Sequence, residues 1–224
     1  VNSARYKWIL YGGAAAGSKS HGIRWLLYRL CLLHPGFRCL LLRRTYPELE
    51  KTHMREAALE APLFGAKALL SGAPPVIAFP RDSLLEFGHC QDEKSVSSYL
   101  SAEYALIAFD ELVTFEERMV MLLASRCRVK RGSGLHPMIV AGTNPGGVNG
   151  LWVKERWLDK TVDPQKYPHY TPDLYHYIPA LLDDNPYVDE SYEEFLQGLD
   201  PERRRAYRYG DWNVFEGQYF KEFR

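Results

Sequence analysis

Trp8-Ile9-Leu10-Tyr11-Gly12-Gly13-Ala14-Ala15-Ala16-Gly17-Ser18-Lys19-Ser20 is the stretch that decides the fold. An apolar run ends in small residues, and a Lys-Ser pair then opens a segment with helical apolar spacing. Strand, small-residue loop and helix N-terminus in that order make a P-loop, whose backbone N–H groups wrap a nucleotide's phosphates. The helix N-terminus adds partial positive charge there, and small side chains let the backbone approach the phosphate oxygens. Counted back from Lys19, the pattern is G-x-x-x-x-S-K-S, with Gly13 first and Ser18 where a second Gly is usual. Gly17, one residue early, is a candidate for the tight turn. Ser18 is unstrained there if its φ is negative; a positive φ costs roughly 1 kcal/mol or more. The plain alternative is a Gly/Ala-rich turn between a strand and a helix. Gly13, Ala14, Ala15, Ala16, Gly17, Ser18, Lys19 and Ser20 are therefore the candidate nucleotide-binding residues.

Outward from this loop, strands alternate with helices. Residues 7–11 read as a buried strand, and 21–33 as a helix ended by Pro35-Gly36. Residues 37–42 read as a central parallel strand closed by Arg43-Arg44, and 47–58 as a helix with Pro47 in its first turn. Two extended runs, 75–79 and 83–87, flank a hairpin signal at Pro80-Arg81-Asp82. Residues 91–98 read as a loop or short helix. Further strands fall at 104–109 and 137–141, with a helix at 116–125 between them. This predicts an α/β fold with a central, mostly parallel sheet flanked by helices and polar residues at the strand C-termini. From about residue 150, Tyr, Trp, Pro and charged residues dominate. We expect a core over residues 1–150 and a lid or linker over 151–224, with one more strand at 174–178 and short helices at 191–199 and 201–209.

A phosphate loop needs carboxylates, and Leu106-Ile107-Ala108-Phe109-Asp110-Glu111 supplies a pair at a strand tip. Asp110 with the Ser20 hydroxyl would join a Mg²⁺ shell, and Glu111 would polarise the attacking water. The alternative is an acidic pair that merely ends a strand. Thr143-Asn144 ends the next strand, where the Asn144 amide and the Thr143 hydroxyl can report a γ-phosphate by hydrogen bonding; ordinary turn chemistry in Asn-Pro-Gly-Gly is the rival reading. Phosphoryl transfer gains from an arginine. Arg43 or Arg44 are candidates from the same chain, and Arg126 or Arg128 from a neighbouring subunit. The basic run at 126–131 reads equally as a solvated turn or a phosphate contact, and the one at 203–208 as a helix surface with internal salt bridges. Trp8 and Tyr11 read as core packing rather than adenine contacts. The histidines show no metal spacing and receive no role.

Composition narrows the class. Lys plus Arg equals Asp plus Glu at 28 each, so no global field argues for nucleic acid, and any basic surface is local. Cys31, Cys39, Cys90 and Cys127 are scattered without C-x-x-C spacing, which disfavours a metal or disulfide framework and fits a reducing setting. No apolar run approaches the length of about 18 residues that a membrane span needs. The chain starts at Val1 almost inside a strand and ends at Arg224 after an aromatic-rich turn, which we read as a fragment of a longer protein.

These motifs together resemble one family. Gly12 to Ser20, Arg43-Arg44-Thr45-Tyr46-Pro47-Glu48-Leu49, Phe109-Asp110-Glu111, Thr143-Asn144-Pro145-Gly146-Gly147, Asp183-Asp184-Asn185-Pro186 and Tyr209-Gly210-Asp211-Trp212 resemble, in order, the large terminase subunit of tailed bacteriophages. The resemblance implies an ASCE-type P-loop NTPase fold and an ATP-driven motor that packages double-stranded DNA into a procapsid. It implies ATP and Mg²⁺ as ligands, with Lys19 and Ser20 on phosphate and Mg²⁺. Asp110 becomes the Mg²⁺ carboxylate, Glu111 the catalytic carboxylate, and Thr143-Asn144 the coupling motif. It also implies a portal protein, a small terminase subunit and a homo-oligomeric ring on the procapsid as partners, in the host cell cytoplasm. The family's C-terminal nuclease domain has no identifiable carboxylate cluster here, so no DNA cleavage is expected of this stretch. Rival readings are a helicase-like or kinase P-loop NTPase, and a nucleotide-binding scaffold without hydrolysis.

Overall fold

The computed structural model describes residues 6–214. The two chain ends on which the expectation of a fragment rests lie outside them. Eight strands form one sheet in the order β3-β4-β5-β2-β6-β7-β1-β8. They are β1 (Trp8–Gly13), β2 (Arg38–Arg43), β3 (Lys67–Leu69), β4 (Val76–Ala78), β5 (Leu84–His89), β6 (Leu106–Asp110), β7 (Met138–Thr143) and β8 (Tyr175–Ala180). The run from β5 to β8 is parallel throughout. β3 and β4 attach as antiparallel strands, so the hairpin expected around Pro80-Arg81-Asp82 forms, and β3 is an addition the sequence pattern did not reveal.

The central strands are apolar without interruption because both faces are covered. Leu40, Leu42, Ile107, Phe109, Ile139 and Ala141 point to one core, shared with Met119, Val120 and Leu123 of α5 (Glu117–Ala124). Cys39, Leu41, Leu106, Ala108, Met138 and Val140 point to the other, shared with Ile23, Leu27 and Tyr28 of α1 (Lys19–Leu33). Successive strand residues face opposite ways, so each strand serves both layers.

The helix expected at 47–58 is longer and is not uniform. α2 (Tyr46–Leu49) is capped by Thr45, whose hydroxyl accepts from the Glu48 N–H at 3.4 Å. A π turn follows over Glu50–Met54, and then α3 (Arg55–Glu60). The short helix α4 (Glu93–Ser97) takes one of the two forms expected for residues 91–98.

The expected boundary at residue 150 does not divide the sheet. β8 pairs along the whole of β1, from Trp8↔Tyr175 to Gly13↔Ala180. Trp152 and Val153 of α6 (Gly150–Lys154), together with Trp157, Tyr175 and Trp212, sit in the same core as Leu10 and Ile139. The reason is apolar area: Trp8 stacks on Tyr175 at 5.3 Å and meets Trp157 edge-on, so this face of β1 needs the later chain as its cover. Among the described residues, α7 (Glu190–Gln197) and α8 (Pro201–Tyr209) join a separate small cluster, in which Leu182, Leu196 and Tyr207 pack on Ala14 of the loop after β1. Among the described residues, no helix is long and apolar enough to cross a membrane.

Candidate functional site

Four parallel strands deliver side chains to one edge of the sheet. β1 runs into the loop Ala14–Ser18, β6 ends at Asp110, β7 ends at Thr143 and β2 ends at Arg43. In open α/β sheets, ligands bind outside the strand C-termini. The loop turns on two left-handed residues, Ala16 at φ 55° and Ser18 at φ 53°. The sequence expectation for Gly17 is therefore corrected. Its φ is ordinary, and it is small for space, since a Cβ there would lie 3.1 Å from the Ala180 Cβ. Gly13 is needed twice over, at φ 133° and with the Ala180 carbonyl 2.4 Å from where a Cβ would stand.

The loop amides divide into two groups. Ala14 N–H donates to Ala180 O at 2.8 Å and Ala15 N–H to Tyr207 O at 2.7 Å, so both are spent on the chain after β8. The N–H groups of Ala16, Gly17, Ser18, Lys19 and Ser20 carry no hydrogen bond among the described residues. Unspent amides at the start of a 15-residue helix form an anion cradle. Lys19 is 7% exposed and donates to Ala14 O at 2.5 Å. Burial lowers its pKa, against the opposing pull of Glu111 and Asp110. The Asn185 amide donates to Ala16 O at 2.6 Å, holding the first left-handed residue from the Asp183-Asp184-Asn185-Pro186 turn.

Across the cradle, the Ser20 hydroxyl lies 3.0 Å from each carboxylate oxygen of Asp110. Oδ2 of Asp110 also accepts from Arg43, at 2.8 Å from Nε and 2.7 Å in the ion pair with the second guanidinium nitrogen. His53 Nε2 is 2.8 Å from the same oxygen. Burial alone would raise this carboxyl, which is 1% exposed, but the hydrogen bond and charge of His53, the Arg43 charge and the Ser20 hydroxyl bring it down to about 2. Glu111 differs. Its backbone is left-handed at φ 58°, which turns it off the strand line. Burial first, and then the Asp110 charge, raise its pKa, while Arg43, Lys19 and the Asn144 N–H pull the other way. Two adjacent carboxylates are thus pushed in opposite directions, Asp110 down and Glu111 up. Asn144 keeps a buried side-chain oxygen without a partner among the described residues, and Thr143 is fully buried, its hydroxyl accepting from the Val113 N–H at 3.4 Å.

The structure brings together Gly13 to Ser20, Arg43, Asp110, Glu111 and Asn144. Arg126 is elsewhere. Its carbonyl accepts from the Tyr104 N–H just before β6, and its guanidinium donates to Leu100 O at 2.9 Å. That is the opposite edge of the sheet, about 16 Å away along a five-residue strand. Arg44 turns to Met119 and Glu116, and Arg128 pairs with Glu103 at 2.9 Å. The later basic run is tied internally, Arg203 to Asp200, Arg205 to Asp211 and Arg208 to Glu193 and Asp183. Two residues escaped the sequence reading. Gly142 lies on β7 between β1 and β6, and a Cβ there would meet Ile23 Cδ1 at 2.6 Å and Asp110 Oδ1 at 3.4 Å. Its lack of a side chain lets the start of α1 cross β7 to reach Asp110. His53 carries no spacing signal in the sequence, and the helix expected at 47–58 did not foretell the turn that aims it at Asp110.

Hard oxygen donors at Ser20 and Asp110 suit Mg²⁺. Among the described residues no group of three or more His, Cys, Asp or Glu is arranged to hold a metal unaided. Such a site fits an ion that arrives with a phosphate ligand, since Mg²⁺ is commonly bound by one or two carboxylates plus substrate phosphates.

The chain matches the family model described as phage terminase large subunit over residues 5–211. Among solved structures, it resembles the large terminase of a thermophilic bacteriophage with a TM-score of 0.74 at 19% identity, covering 94% of this chain and 49% of that one. The same phage protein in complex with ADP matches with a TM-score of 0.69 at 16% identity, over 94% and 49% of the two chains. The large terminase ATPase domain of Thermus phage P74-26 matches with a TM-score of 0.57 at 16% identity, over 93% and 89%. The chain thus spans about half the length of the first of these proteins and most of the P74-26 domain. No curated protein matches it.

Proposed function

The chain belongs to the phage terminase large subunit family, and from that premise we propose that it is the Mg²⁺-dependent ATPase part of a DNA-packaging motor. The observation that carries this is the Ser20–Asp110 contact, which joins the phosphate loop to the carboxylate strand across 90 residues of sequence. The free amides from Ala16 to Ser20 and the buried Lys19 would hold the ATP phosphates, as the ADP bound to the thermophilic phage's terminase makes reasonable. Ser20 and Asp110 would hold Mg²⁺, whose chemistry is to neutralise charge building on the β- and γ-oxygens. Glu111, with its pKa raised, would accept the proton of a water aligned on the γ-phosphate. Asn144 joins the two events, because its N–H faces Glu111 while its buried side-chain oxygen is open to a donor.

Arg43 lies within this site, on Asp110; Arg126 would act only on the site of a neighbouring subunit, as the proposed ring provides. Double-stranded DNA, portal protein and small terminase subunit are the partners this reading carries, on a procapsid in the host cytoplasm. The test is phosphate release by the purified chain, in Mg²⁺ and in EDTA, across protein concentration. Mg²⁺-dependent release that rises more steeply than protein concentration supports the reading. Nucleotide binding with no release at any concentration, even with portal and DNA added, would leave a scaffold.

A further inference from the structure

His53 is 0% exposed, the most enclosed charged or polar side chain at the sheet edge apart from Thr143. It stands in the π turn Glu50–Met54, between α2 and α3. A π turn widens a helix by an extra residue, and such turns occur frequently at functional sites. Here the widened turn sets His53 Nε2 2.8 Å from Asp110 Oδ2. An ionised carboxylate only accepts, so the hydrogen in this bond belongs to Nε2. Nδ1 has no partner among the described residues, so the ring is held from one side alone, by Asp110.

The carboxylate is loaded unevenly. Oδ2 takes the histidine and both Arg43 nitrogens, whereas Oδ1 takes only its share of the Ser20 hydrogen. Oδ1 lies on the side of Gly142 and the Lys19 stem, 3.4 Å from where a Gly142 Cβ would stand. Arg43 is partly exposed at its side chain (14%) and carries a charge that a cation beside Asp110 repels. His53 is closed off from water and has no other bond among the described residues.

We propose that His53 is a positioning residue for the cation site: it clamps Asp110 by Oδ2 and keeps Oδ1, beside the Ser20 hydroxyl, turned toward the bound Mg²⁺. This rests on the ATPase reading of the site. It differs from it in naming a residue whose loss costs metal affinity without touching the phosphate cradle. Groups that orient a metal ligand from behind typically change metal affinity by about 10–100-fold when removed.

The test is nucleotide binding without turnover, with ADP as the probe, titrated in EDTA and then against Mg²⁺. Compared are the wild type, His53→Met, which removes the donor, and His53→Gln, whose amide restores a donor at the Nε2 position. In EDTA all three should bind ADP within about twofold of one another, because Lys19 and the loop amides are intact. His53→Met should need about tenfold more Mg²⁺ for half its Mg²⁺-induced gain in affinity, and His53→Gln should return near the wild type. Equal Mg²⁺ midpoints in all three, or a parallel loss of affinity in EDTA, would overturn the assignment. A wild type whose ADP affinity ignores Mg²⁺ would instead remove the cation site itself. Should His53→Met not fold, the wild-type imidazole answers alone. Its Nε2–H resonance should persist slowly exchanging and shift on Mg²⁺·ADP but not on ADP in EDTA; an unmoved resonance would refute the role.

Discussion

Ser20 Oγ stands 3.0 Å from both oxygens of Asp110, sharing one hydroxyl hydrogen between them. The contact forms over an intervening strand. β7 separates β1 from β6 in the sheet, so the first turn of α1 has to pass above it. Gly142 makes that passage, and Lys19 is set beside Asp110 and Glu111 as a result.

Gly142→Ala places a methyl 2.6 Å from Ile23 Cδ1, so the end of a side chain that is itself only 2% exposed must shift. We expect a loss of about 1–3 kcal/mol in stability. We also expect a fall in Mg²⁺-dependent turnover larger than in ADP affinity, because α1 is lifted from Asp110. Thermal unfolding and steady-state kinetics on the same preparation check both. A variant as stable as the wild type would show that α1 does not press on β7.

Ser18 occupies the left-handed region at φ 53° with no side-chain cap bond to compensate. Glycine adopts that conformation freely, at the cost of greater freedom in the unfolded chain. Ser18→Gly should therefore raise stability by about 0.5–1 kcal/mol. Nucleotide affinity should be preserved, since the amide stays where it is. Urea unfolding with and without ADP measures each part; a destabilised variant would mean that the hydroxyl has an unrecognised partner.

Lys19 and Glu111 should separate binding from chemistry. Lys19→Ala removes the buried cation of the cradle and should abolish most ADP affinity. Glu111→Gln keeps the shape and removes the proton acceptor, so it should bind nucleotide normally while turnover drops about 10²–10⁴-fold. Calorimetry and phosphate release distinguish the two. Normal turnover in Glu111→Gln would reassign the base.

The raised pKa of Glu111 has a direction in pH. A base must be deprotonated to act, so kcat/KM, which reports the free protein, should rise with pH along an acid limb. Its midpoint should lie above the ordinary glutamate value of about 4.3. Asp110, at about 2, stays ionised throughout that window and contributes no inflection there. An acid limb at or below the ordinary glutamate value would show that burial does not hold Glu111 up.

Much of this was legible along the chain because it is written in local chemistry. The small residues and Lys-Ser of the loop, the apolar runs of β2, β6 and β7, and the polar residue at each strand tip follow from backbone reach and from strands buried on both faces. Those rules need only neighbours in sequence, and they were enough to bring the α/β class and the candidate residues into view. Other features depend on what lies across space. Nothing near Gly142 says that a helix will pass over it, and nothing near His53 says that a widened turn will aim it at Asp110. The pairing of β8 with β1 joins segments more than 100 residues apart, and the positive φ at Ser18 is a feature of the folded loop. The free loop amides, the opposed pKa directions of Asp110 and Glu111 and the distance of Arg126 likewise arise only once burial and charge are summed over the folded chain. Propensity and pattern act within a few residues, whereas desolvation and steric exclusion act between whichever groups the fold brings together.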